Sequence, residues 1–230
     1  MSKYCTYIVP VLISLSYNTS HSMLNKWQYK PIIQVQNAEF IAMREKIKLL
    51  LCARKINDIV TINPNITIIR KARAEERGLE YKCFQYAIAQ TTGFKENVDF
   101  YLGKKDLTSI SIENYFQQTN YPQKGDLVIY TTSETDLTML HFGIFIDNVT
   151  VESKWGNFLE IFHHPLFDIA SNYGAAAGFF TLKHEYKADQ QKLHADMRQE
   201  INLKQERKLD QMCQVDSQVQ EMLRALHSPF

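Results

Sequence analysis

Tyr81-Lys-Cys-Phe-Gln-Tyr-Ala-Ile-Ala-Gln-Thr-Thr-Gly-Phe94 and, further on, His141-Phe-Gly-Ile-Phe-Ile-Asp147 are the two stretches that decide the fold. The first predicts a helix from about Cys83 to Thr91 that stops at Gly93; the second predicts a strand headed by His141. A cysteine in the first turn of a helix sits in a partial positive charge that favours thiolate. An imidazole on a neighbouring strand can hold the proton and deliver it to a leaving group. Cys83 and His141 are therefore the candidate nucleophile and base.

Working outward, Tyr121-Pro-Gln-Lys-Gly-Asp-Leu-Val-Ile-Tyr130 precedes His141 as a Pro and Gly turn running into an apolar strand. After His141 come Val151-Glu-Ser-Lys-Trp-Gly156, Phe162-His-His-Pro-Leu-Phe-Asp168 and Tyr173-Gly174. Strands are expected at Asp126–Thr132, His141–Asp147, Val149–Trp155, Asn157–His163 and Ala176–His184, with a short helix near Ser111–Gln118. Their β-branched and aromatic alternation, with short connections, suggests an antiparallel meander in an α+β domain. Asp147-Asn148 reads as a tight hairpin link bringing the next strand beside that of His141. Phe142, Ile144 and Ile146 alternate with His141, Gly143 and Phe145, so the first set should pack against helices. Gly143 is expected to leave room for substrate beside the imidazole.

From Gly78 to Leu182 the chain resembles the NlpC-like and CHAP-like branch of papain-fold cysteine peptidases and amidases. The residues that carry the resemblance are Cys83 on its helix, Lys124-Gly-Asp126 at a strand entry and His141-Phe-Gly143 on the next strand. The resemblance implies a papain-like core and a Cys83/His141 dyad, with a third polar residue on the following strand. The positions in register are Glu152 and Ser153, of which only one can face His141. Glu152 is preferred because a carboxylate fixes the imidazole tautomer and stabilises its cation; Ser153 is the alternative. The implied activity is thiol-dependent hydrolysis of an amide bond in a peptide or protein substrate, with cell-wall peptides (peptidoglycan) a natural class. The rival from another class is a catalytically silent scaffold that acts through its C-terminal helix.

Composition narrows the alternatives. The chain has 230 residues, 45% hydrophobic and 22% charged, enough for one globular domain with additions. Its 26 basic and 25 acidic residues give a net charge of +1, which supplies no footprint for nucleic acid. The eight glycines form no phosphate loop or dinucleotide fingerprint, so no cofactor is expected. Cys5, Cys52, Cys83 and Cys213 have no metal spacing. His163 and His164, as adjacent strand residues, should point to opposite faces and cannot share a metal.

The flanks read separately. Residues 1–22 hold the short basic Met1-Ser-Lys3, an apolar run Tyr7–Leu15 and small residues at Ser20-His21-Ser22, the pattern of an export leader. The run is too short to span a bilayer. An exported location follows if the leader is cut, a cytoplasmic one otherwise. Residues 23–77 form a helical lead-in: Asn37 caps a helix to about Lys55, and Ile59–Ile62 and Ile66–Ile69 are expected as extended runs about Asn63-Pro-Asn65. Residues 78–184 are the catalytic core. Residues 185–230 are rich in Lys, Gln, Glu and Arg and predict a long helix, either folded back on the domain or paired with a protein partner. Leu209, Met212, Val219, Leu223 and Leu226 approach a three–four spacing that Asp216 interrupts, so a coiled coil is not signalled.

Overall fold

The computed structural model describes residues 32–33, 37–71, 82–96, 99–101, 109–133, 138–147, 150–155 and 160–226. Residues 1–22, expected as an export leader, the basic and acidic stretch from 72, and the last four residues lie outside these. In chain order, strand β1 (Ile32–Ile33) is followed by helices α1 (Ala38–Cys52) and α2 (Ile56–Ile62), strand β2 (Thr67–Lys71) and helix α3 (Cys83–Thr92). Next come β3 (Asp99–Tyr101), β4 (Ser109–Ser111), α4 (Ile112–Tyr115) and β5 (Phe116–Thr119). Strands β6 (Leu127–Thr131), β7 (Met139–Phe145), β8 (Val151–Lys154) and β9 (Glu160–His164) then lead to β10 (Ala176–Leu182). Helices α5 (His184–Ala188) and α6 (Gln190–Leu226) close the described chain.

The main sheet runs β1-β10-β6-β7-β8-β9-β2 with every pairing antiparallel, and β5 shares the outer edge of β10 with β1. Consecutive strands β6 to β9 form the expected meander; β10 returns to pair with β6. The small pair β3–β4 is parallel and stands apart. The class is therefore α+β with an antiparallel sheet and a long C-terminal helix.

Two apolar cores lie on the two faces of the sheet. On one, Tyr86, Ala87 and Ile88 of α3 pack with Phe142 and Ile144 of β7 and with Leu193 and Met197 of α6. On the other, Ile47 and Leu51 of α1 and Ile59 of α2 pack with Tyr130, Phe145, Trp155 and Phe162. The lead-in thus builds the second layer of the same body. Asn37 caps α1 as expected, its side-chain oxygen accepting from the Phe40 N–H at 2.8 Å.

One expectation is corrected: Ile59–Ile62 belongs to helix α2, not to an extended run. Strand preference of the β-branched residues is a weak local bias, and burying Ile59 among Ile47, Leu51 and Ile66 on the second face outweighs it. Helix α6 also resolves into two parts. Its first turns dock on the domain, whereas residues 205–219 are exposed throughout.

Candidate active site

Cys83 is the first residue of α3, preceded by Lys82 in extended conformation. The Gln85 side chain accepts from the Lys82 N–H at 2.9 Å, which tethers the helix start. Gly93 ends the helix at φ 72°, a left-handed conformation that glycine takes at little cost. The sulfur lies against β7. The backbone N–H groups of Phe142, Phe84 and Cys83 face it, and Lys154 adds a favourable charge. Burial nonetheless dominates and pushes the thiol above its ordinary 9.0. The residue keeps some exposure. The raised pKa reverses the lowered thiol expected from a helix N-terminus, because desolvation outweighs the dipole.

His141 precedes the residue whose backbone N–H faces the sulfur, and its ring turns to the face of the sheet opposite the Phe142 side chain. Phe142 and Ile144 join the α3 core, whereas the His141 ring stacks on Tyr173 at 4.1 Å and 7° and tilts against Tyr130 at 5.5 Å. His141 is fully buried, and neither ring nitrogen has a hydrogen-bond partner among the described residues. Burial, with His164 adding to it, lowers its pKa well below 6.5, so the ring is neutral at pH 7. The Cys83 sulfur, on α3, therefore meets the backbone of the strand that carries His141, but the two side chains are not hydrogen-bonded.

Neither expected third residue orients His141. Glu152 pairs across the ladder with Ile144 and shares the α3 face. Its carboxylate accepts from the Tyr86 hydroxyl at 2.5 Å and meets His163 Nε2 at 3.1 Å. Arg70 donates to the same tyrosine oxygen at 3.2 Å. Ser153 lies on the opposite face, beside Gly143, but is taken by His164: Oγ to Nε2 is 2.7 Å. His164 Nδ1 lies 2.8 Å from the Pro165 carbonyl, which can only accept. Nδ1 therefore carries the proton, Nε2 is the acceptor, and Ser153 donates to it while receiving the Trp155 indole N–H at 2.8 Å. Burial lowers the His164 pKa to about 4.

His163 and His164 thus turn to opposite faces, one to Glu152 and one to Ser153. Gly143 does not open a substrate space. A Cβ there would come within 2.5 Å of Val151 Cγ1 and 3.2 Å of the Glu152 carbonyl oxygen, so the glycine admits the close approach of β8.

Two residues that sequence reasoning gave no role belong to the site. Tyr173 supplies the ring against His141, and Arg44, 4% exposed, holds the loop that carries Tyr173. Tyr173-Gly174 is visible in the sequence as a motif, but the stack is a long-range contact with no local signature. A family model described as a domain of unknown function (DUF7689) matches residues 72–181, just under half of the chain. No curated protein and no solved structure matches the chain.

Proposed function

We propose that this chain is a cysteine-dependent hydrolase of amide bonds built on a papain-like core, with Cys83 as nucleophile and His141 as base. The observation that carries the reading is the placement of Cys83. Its sulfur is at a helix start, ringed by backbone N–H groups including that of Phe142, the residue after a histidine whose two nitrogens are uncommitted. Unpartnered buried ring nitrogens cost on the order of 1–3 kcal/mol, a cost that catalysis gives a reason to retain.

Both groups are neutral, so attack follows a general-base route rather than starting from a thiolate–imidazolium pair. The thiol and the imidazole are not hydrogen-bonded in the free protein, and the reading requires that contact to form in the substrate complex. The sulfur bonds to the carbonyl carbon while its proton passes to His141. The C–N bond then breaks, His141 returns the proton to the departing amine, and water activated by His141 hydrolyses the thioester. Backbone N–H groups at the α3 start stabilise the oxyanion. For an exported chain the substrate classes are cell-wall peptides and, equally, a partner protein on which a secreted effector acts.

A neutral thiol at pH 7 should acylate more slowly than the exposed Cys52 and Cys213 unless a base assists it. Treatment with an activated ester and mass-spectrometric mapping separates these cases. The expected result is preferential, turned-over acylation of Cys83, lost in Cys83→Ala and slowed about 100-fold in His141→Ala. Acylation of Cys83 no faster than that of Cys52 and Cys213 would overturn the proposal. Digestion of peptidoglycan fragments beside a generic peptide library then selects the substrate class.

A second reading, a silent papain-like scaffold, is favoured by the full enclosure of the His141 ring. Its working surface would be the far part of α6, where Leu209, Met212, Val215 and Val219 are exposed. No helix among the described residues is long and apolar enough to cross a membrane.

A further inference from the structure

We infer that Tyr173 is the positioning residue for His141, holding the imidazole by ring stacking where related sites use a hydrogen-bond acceptor. The inference rests on the Cys83/His141 reading and assigns the orienting role that neither Glu152 nor Ser153 fills. A side chain accepting from the imidazole occupies one nitrogen. A parallel ring 4.1 Å away fixes the imidazole plane and leaves both nitrogens free, which is the observed state.

The stack is held from behind. Tyr173 closes a short 3₁₀ turn, its N–H donating to the Ala170 carbonyl at 3.0 Å. Arg44 reaches from α1 to the same loop: Nε donates to the Ile169 carbonyl at 3.1 Å, and Nη2 to those of Ala170 at 3.3 Å and Gly174. On the other side, the Ala175 N–H donates to the Thr131 carbonyl at 3.0 Å. Gly174, at φ 118°, passes so near β6 that a Cβ would lie 2.7 Å from the Thr131 oxygen. The loop therefore has one seat, and the tyrosine ring lands on His141. Trp155 stands at 6.1 Å from the Tyr173 ring and limits its sideways drift. Burial raises the pKa of the Tyr173 phenol and keeps it protonated.

The groups facing His141 are Tyr130 from β6, Tyr173 from the loop, and His164 from β9. Histidine-labelled full-length protein, with His141 assigned through His141→Gln, tests the inference by NMR. In the wild-type protein, the His141 ring protons should be displaced upfield by the Tyr173 ring and give cross-relaxation to it. Their absence overturns the inference without any variant having to fold. Tyr173→Phe should preserve both signals and a ring that stays neutral well below pH 6.5. Tyr173→Leu should remove most of the displacement and the cross-relaxation; a His141 ring displaced there as in the wild-type protein also overturns the inference. In the acylation assay, Tyr173→Leu should lower turnover at least 10-fold and Tyr173→Phe less than threefold. A Cys83→Ala protein with undiminished turnover would sink the hydrolase reading alone, since the ring signals answer the stacking question independently.

Discussion

At the scale of single residues, His141 and His164 are carried into the fold as neutral rings, and this couples stability to pH. Burial lowers both pKa values from the ordinary 6.5, His164 to about 4. Below about pH 6.5 the unfolded chain takes up protons that the folded one refuses, so stability must fall as pH falls. The His164 contribution levels off below about pH 4, where both states are protonated. Each ring contributes a slope of up to about 1.4 kcal/mol per pH unit in that window. Urea unfolding between pH 7.5 and 5 should show a falling midpoint, and His141→Gln should remove about half of the slope. A midpoint that is flat with pH would mean that the rings are hydrated in the folded state.

Helix α6 is the element whose two halves behave differently. Leu193 and Met197 are fully buried in the α3 core, so truncation after His184 removes part of the core itself. Glu200 marks the end of the docked part. Its carboxylate accepts from the Ser111 N–H at 3.0 Å, Asn114 Nδ2 at 2.8 Å and the Tyr115 hydroxyl at 2.8 Å, and pairs with Lys204 Nζ at 2.7 Å. Glu200→Ala leaves those donors without their acceptor and should cost about 2 kcal/mol. The loss should appear as faster amide exchange in the docked part of α6. Deletion from Gln205 onward removes residues 205–219, exposed throughout, and should change stability by no more than about 0.5 kcal/mol. A large loss in the second variant would show that the far half of α6 is bound to something after all.

For the molecule as a whole, Arg44 is the tie between layers. It stands on α1, on the second face of the sheet, and its buried guanidinium satisfies three carbonyls of the loop between β9 and β10. Burial lowers its pKa, but an arginine remains charged at any working pH. Asn63 supports the same loop by donating to Asp168 at 2.9 Å. Arg44→Met keeps much of the volume and orphans the carbonyls, so it should cost about 3 kcal/mol in chemical unfolding. It should also loosen Tyr173, giving His141 a titration nearer the ordinary value. A variant that loses stability while its His141 spectrum is unchanged would separate the tie from the site.

The sequence alone determined the elements whose signals are local. Asn37 announced a helix start, Gly93 a helix stop, alternation along His141–Phe145 a strand with two faces, and the uninterrupted charged tail a long helix. Only the tertiary structure decided what each face meets. Strand periodicity says that His141 and Phe142 diverge, but which of them turns toward α3 depends on contacts between distant segments. The same long-range packing turned Ile59–Ile62 helical, gave Glu152 to Tyr86 and His163, gave Ser153 to His164, and set Tyr173 against His141. Local propensities amount to a few tenths of a kcal/mol per residue, whereas burial of one large side chain is worth about 1.5–3 kcal/mol. Where the two compete, the distant partner prevails, and a distant partner leaves no mark on the residues beside it.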